Sequence, residues 1–231
     1  MPSSATVIDP AANLRTILSR IANARAAAIA PAAETHLIAI SKTHDSDRIE
    51  PVLKAGHRLF GENRVQEAKA KWPALKERFS GIELHLVGAL QSNKVAEAIS
   101  LFDCIHSLDR EKLADAFVSG RTKTGHCPNL FIQVNVGEEA QKAGIAPRQT
   151  EEFVRHCRET LKLPIVGLMC IPPAGEEPPP YFALLQKLSS DLSLKFLSMG
   201  MSDDFETAIR FGATHIRVGT AIFGERSRAK P

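Results

Sequence analysis

Lys42 offers the most direct chemistry in the chain. It ends a short apolar run, in LIAISKTHD. An amine placed where water is scarce gives up its proton more readily and can then attack an aldehyde. The same position also suits a lysine that lays its stem along the surface and keeps its charge in water. Arg217, in THIRVGTAIFGER, is a permanent cation inside another apolar run. Period-two alternation puts it on one face with His215 and Gly219, and on an inward face it needs an anion or an electron-rich acceptor nearby. Gly219 and Thr220 follow at the start of a short helical stretch, where backbone N–H groups and a hydroxyl can hold an anion.

Ser202 follows Met201 in LSMGMSDDFETAI. It reads as the N-cap of the next helix or as part of the anion site, and Asp203 and Asp204 oppose an anion unless they turn away. Asn63, in FGENRVQEA, either caps the helix after it or aims its amide at a ligand. His85 is either a ring-stacking group or a hydrogen-bonded core histidine. No residue is singled out as a catalytic acid or base, and no metal site is expected.

These residues need elements to carry them. Eight short apolar runs are candidate strands: 37–41, 58–60, 84–87, 104–107, 130–135, 165–170, 196–199 and 215–218. Runs such as LIAI and LFIQVNV suit strands buried on both faces of a parallel sheet. Helical stripes lie between them: Phe153, Val154, Cys157 and Leu161; Phe182, Leu185, Leu188 and Leu192; Phe205, Ala208, Ile209 and Gly212. Asp109 is the expected cap of a helix carrying Leu113 and Phe117. An opening helix with Leu14, Ile17, Leu18 and Ile21 is expected to cover the bottom of the fold. Eight βα units point to a single-domain α/β (β/α)₈ barrel, the TIM-barrel architecture, over residues 1–231 with its core at about 10–227. A doubly wound open sheet is the alternative, although no GxGxxG follows the first strand. The Pro-rich stretch 172–180 reads as an irregular loop after the sixth strand. In such barrels, ligands meet the C-terminal ends of the strands, where all the residues above fall.

The chain has 231 residues, 44% hydrophobic and 24% charged, with a formal net charge of +3. That charge is too small and scattered to argue for nucleic acid or an anionic membrane. The four cysteines, Cys104, Cys127, Cys157 and Cys170, form no CxxC pair and suggest neither a disulfide framework nor a zinc site. The opening MPSSATVIDP lacks the basic and apolar regions of a secretory signal, and no long apolar run suggests a membrane span, so a cytoplasmic protein is expected.

Eight segments occur in order: AISKTH, FGENRVQE, HLVGALQSNK, IHSLDR, QVNVGEEAQKAGI, GLMCIPP, LSMGMSDDFETAI and IRVGTAIFGER. Together they resemble the YggS/PROSC family of pyridoxal phosphate homeostasis proteins over roughly residues 10–227. The resemblance implies a barrel like that of alanine racemase, without that enzyme's second β domain. It implies pyridoxal 5′-phosphate (PLP) as cofactor, with Lys42 as the Schiff-base lysine. Ser202, Gly219 and Thr220 match its phosphate-binding positions, and Met201 sits beside them. Arg217 matches the arginine facing the pyridine nitrogen, and Asn63 the asparagine near the cofactor. Leu84 and Ala89 depart from the pattern, where an aromatic residue and a histidine are common.

The resemblance implies storage and delivery of PLP rather than catalysis, with PLP-dependent apoenzymes as possible recipients. A guanidinium cannot accept a proton from the ring nitrogen and disfavours a pyridinium, which weakens the cofactor as an electron sink. Two-base racemisation also needs a second base, and the chain's one tyrosine, Tyr181, lies in the Pro-rich region. A weak racemase or lyase using Lys42 alone is the alternative, and a phosphate-binding isomerase without PLP is a third reading. A monomer is expected, since no apolar seam is evident.

Overall fold

The computed structural model describes residues 8–225. The eight strands are β1 (His36–Ile40), β2 (Leu59–Glu62), β3 (Glu83–Leu86), β4 (Cys104–Leu108), β5 (Asn129–Val134), β6 (Ile165–Cys170), β7 (Phe196–Ser198) and β8 (His215–Val218). Each pairs in parallel with the next, and β8 returns to β1, with Ile38 opposite Arg217 and Ala39 opposite Val218. The sheet is therefore a closed barrel, as the alternation of apolar runs and helical stripes implies. The sixth and eighth expected strands coincide with β6 and β8 end to end.

Helices α1 (Pro10–Ala27), α2 (Ser46–Lys54), α3 (Val65–Arg78), α4 (Val95–Leu101), α5 (Glu111–Thr124), α6 (Thr150–Arg155), α7 (Pro179–Asp191), α8 (Phe205–Arg210) and α9 (Thr220–Phe223) complete the described elements. Their apolar stripes, with Trp72, Phe117, Phe182 and Phe205 fully buried, pack on the outside of the barrel. Among the described residues, no helix is long and apolar enough to cross a membrane.

Three local expectations change. The opening helix α1 does not cover the barrel bottom; it packs against α2, α8 and α9. The short α9 leaves a gap in the helical ring, and α1 fills it. Arg20 holds Glu206 through two hydrogen bonds of 3.0 Å, and Asn13 donates to the Ile222 carbonyl at 3.0 Å. Asp109 does not cap α5, which starts at Glu111 without a side-chain cap. The Asp109 carboxylate instead takes the Arg110 guanidinium, which also donates to the Leu90 carbonyl. The last two residues of the Pro-rich stretch are the first turn of α7, where proline suits a position whose N–H has no helical acceptor.

The barrel interior is partly polar. His106 and His215 meet Phe131 and Phe196 there, His85 packs on both histidines, the half-exposed His36 touches His215, and His106 stacks on Phe131 with centroids 4.2 Å apart. Gly167 of β6 admits this cluster: a Cβ there would lie 2.2 Å from the Phe196 carbonyl oxygen and 2.7 Å from the Phe131 ring.

The end of β1 is braced from below. The Glu62 carboxylate, fully buried, accepts from Ser41 Oγ at 2.5 Å and Trp72 Nε1 at 3.0 Å, and pairs with Lys71 Nζ at 2.9 Å. Burial pushes the Glu62 carboxyl up, and the Lys71 ammonium pulls it back. Lys71 Nζ also donates to the Ser41 and His44 carbonyls at 2.8 and 2.9 Å. It thus clamps both ends of the turn that presents Lys42. Thr43, the middle of that turn, has φ of 66°, a left-handed conformation that costs a β-branched residue of order 1 kcal/mol or more. Its N–H donates to the Glu67 carboxylate, which holds the strained turn in place.

Two stability predictions follow from this scaffold. Gly167→Ala drives a methyl into backbone and should lower stability by about 2 kcal/mol, read as a shifted urea midpoint. Lys71→Met strands the Glu62 charge in the interior and should cost about 3–5 kcal/mol, and adding Glu62→Gln should recover at least half of that loss. Equal midpoints for the single and double variants would show that the pair is not coupled.

Candidate functional site

The strands and the clamped turn surround a cavity of about 680 Å³ at the C-terminal mouth of the barrel. Lys42, Asn63, Met201, Ser202, Arg217, Gly219 and Thr220 all line it. Residues singled out from four separate segments are therefore brought to one place. Closure of β8 on β1 sets Lys42 and Gly219 on adjoining strands; a Cβ on Gly219 would lie only 3.1 Å from the Ile40 carbonyl oxygen.

Arg217 points inward, as its alternation with His215 implies, and is 5% exposed. Its Nη1 donates to Ser198 Oγ at 2.8 Å and its Nη2 to the Cys170 carbonyl at 2.9 Å. Burial lowers its pKa, with the nearby Cys170 and Asp204 opposing, yet a guanidinium keeps its charge in a protein. Among the described residues it forms no ion pair, so the cation faces neutral oxygens on one side and the cavity on the other.

Asn63 does not cap α3. Arg64 precedes that helix, with no side-chain cap, and Asn63 lines the cavity instead. Gly88 allows this placement, because a Cβ there would sit 2.3 Å from the Asn63 carbonyl oxygen. Ser202 does not cap α8 either. The helix begins three residues later at Phe205, and Ser202 lies in the turn before it. Asp204 folds its carboxylate back onto the Met201 N–H at 2.6 Å, and burial raises its carboxyl. One of the two acidic groups is thus engaged in the turn, while Asp203 lines the cavity. Gly219 and Thr220 open α9, whose first turn has N–H groups without helical acceptors.

His85 is 1% exposed and hydrogen-bonded to His106 and Glu83, which makes it a core histidine. Tyr181 lies in the first turn of α7 and donates to Glu176; it is not among the cavity-lining residues. The sequence reading missed, among others, Thr43, His44, Val87, Ile171 and Glu225, which also line the cavity. His44 stacks against Phe223 at 5.3 Å, and burial, with Arg48 and Lys71 nearby, lowers its pKa. The period-two rule could have found Val87, two residues beyond inward His85, and the GLMCI strand end could have suggested Ile171. The cavity therefore combines an amine, a buried fixed cation, hydroxyls and N–H groups suited to an anion, and apolar walls from Ile40, Val87 and Ile171.

Comparison with known proteins agrees with this geometry. The family described as alanine racemase, N-terminal domain, matches residues 12–227. A pyridoxal phosphate homeostasis protein of Aquifex aeolicus is 41% identical over 199 residues, covering 82% of this chain and 86% of that protein. One from Pseudomonas aeruginosa is 39% identical over 227 residues, covering 96% and 97%. PipY of Synechococcus elongatus, solved with PLP bound, superposes with a TM-score of 0.79 at 36% identity, covering 93% of this chain and all of that one (100%). Alanine racemase from Bartonella henselae shares the fold, with a TM-score of 0.72 at 15% identity, and this chain spans 61% of it. The chain belongs to the family of pyridoxal phosphate homeostasis proteins, built on the alanine racemase N-terminal domain.

Proposed function

We propose that this protein binds PLP in the barrel-mouth cavity, in Schiff-base linkage to Lys42, and stores the cofactor for delivery to PLP-dependent apoenzymes. The observation that carries this reading is that Lys42, Arg217 and the Ser202, Gly219 and Thr220 donors all line the same cavity. Its volume lies within the usual range for a small-molecule site, about 300–1,000 Å³. The relatives' names and the PLP held by PipY support the choice of ligand.

Bound PLP supplies an electrophilic aldehyde and, when its ring nitrogen is protonated, an electron sink. The residues of this chain favour the first property over the second. Lys42 would hold the aldehyde end through its amine, a link that a second amine could exchange, and Ser202, Thr220 and the first N–H groups of α9 would hold the phosphate. Arg217 would face the ring nitrogen, where a guanidinium only donates hydrogen bonds and repels a pyridinium, so it would favour the unprotonated, less activating ring. The same site would act in a cytoplasmic monomer, with neither nucleic acid nor membrane as partner. The relatives are named for homeostasis rather than for a reaction, which supports a carrier over the racemase or lyase alternative.

Borohydride reduction of the PLP-loaded protein should trap a single adduct, which peptide mapping places on Lys42. Lys42→Ala should lose the visible absorption and the adduct while keeping the wild-type fold by circular dichroism. An adduct on another lysine would refute the assignment. Exchange of amino-acid α-protons into D₂O by the wild-type protein should stay close to that of free PLP; fast exchange abolished in Lys42→Ala would establish an enzyme instead.

A further inference from the structure

A line of hydrogen bonds runs down the barrel axis from Arg217. Arg217 Nη1 donates to Ser198 Oγ at 2.8 Å; Ser198 Oγ lies 2.8 Å from His106 Nδ1. His106 Nε2 lies 2.9 Å from His85 Nδ1, and His85 Nε2 lies 2.8 Å from Glu83 Oε1. Ser198, His106 and His85 are buried, whereas the Glu83 side chain is 57% exposed at the opposite end of the barrel. The line thus connects the cavity with the far face of the molecule.

The direction of every bond can be derived. Arginine only donates, so Ser198 Oγ accepts from Arg217 and its own hydrogen goes to its other partner, His106 Nδ1. Burial holds His106 neutral, with its pKa well below the usual value, so its one hydrogen is on Nε2 and points at His85 Nδ1. His85 then carries its hydrogen on Nε2, facing Glu83. The far end gives the same answer: the hydrogen bond from His85 holds the Glu83 carboxyl below its usual range, and a carboxylate only accepts. Each dipole in the series turns its negative end toward the Arg217 cation, and aligned hydrogen bonds strengthen one another. Cys104 lies with His85 and His106 in a group whose donor atoms fall within 4.8 Å, a set that could suit a soft metal ion. All four ring nitrogens are already engaged, and burial keeps the thiol protonated, so the relay accounts for the cluster and a metal ion does not.

We infer that Ser198, His106, His85 and Glu83 form a one-directional relay that fixes the Arg217 guanidinium at the cavity floor, and that they are positioning residues for the bound ligand. This inference rests on the proposed role of Arg217 beside the PLP ring. It makes the far face of the barrel felt at the site: changing Glu83 should alter how the cavity holds its ligand.

The test begins on the protein without PLP. Nitrogen-15 NMR of the histidine side chains should show both His106 and His85 as Nε2–H tautomers. Ser198→Ala should shift the His85 ring signals, although the two residues share no hydrogen bond, and Ser198→Thr, which keeps the hydroxyl, should restore them. With PLP added, Ser198→Ala and Glu83→Gln should each weaken retention by about three- to tenfold, the loss of roughly one net hydrogen bond, and shift the visible band relative to wild type. An Nδ1–H tautomer on either ring, or His85 signals indifferent to Ser198→Ala, overturns the relay. If wild-type protein takes up no PLP, the proposed function fails while the tautomer result still judges the relay.

Discussion

A permanent cation inside a closed barrel is the constraint around which this structure is arranged. Arg217 is buried, and its described partners are a hydroxyl and a carbonyl. A buried charge with incomplete pairing demands polar surroundings, which explains why the core of an otherwise apolar barrel holds a serine and several histidines. It also favours an occupant that brings negative charge or an electron pair to the open side of the guanidinium. The apolar walls of Ile40, Val87 and Ile171 then give a flat ring a place beside that charge.

The turn that carries Lys42 is governed by a second buried charge. Lys42 lies in a turn that is strained at Thr43 and anchored by Lys71. Lys71 is itself anchored by Glu62, whose carboxylate also takes Ser41 and Trp72. The strain is concentrated in one residue and the restraint is spread over α3 and β2, so Lys42 need not contribute to its own placement. The two networks meet at the mouth because β1 and β8 are neighbours.

Much of this was legible in the sequence, for identifiable reasons. Buried parallel strands are nearly continuous apolar runs, so Ile165–Cys170 and His215–Val218 stood out, and the period of two put Arg217 on one face with His215, the face that the barrel turns inward. The seven nominated site residues do share a cavity, since strand ends of a barrel converge. The local caps were not legible. Asp109, Ser202 and Asn63 each have the chemistry of a cap, but the first is taken by Arg110, and the other two belong to the turn and the cavity before their helices. Tertiary competition for a polar side chain leaves no trace in local spacing. The histidine cluster was not legible for a related reason: His85 and His215 were each read singly, and with His36 and His106 they lie on four strands and look solitary along the chain.

The seam between the first and last strands has a consequence for biosynthesis. Lys42 leaves the ribosome about 175 residues before Arg217, Gly219 and Thr220, and only the pairing of β1 with β8 makes them neighbours. A nascent chain therefore carries the amine long before it owns a pocket. Whatever settles across that seam engages only the completed ring, so it acts as a clasp: occupancy and resistance to unfolding rise together by mass action. Scarcity of a ligand held there would then be felt as a looser protein, its lifetime tied to how much of that ligand is at hand.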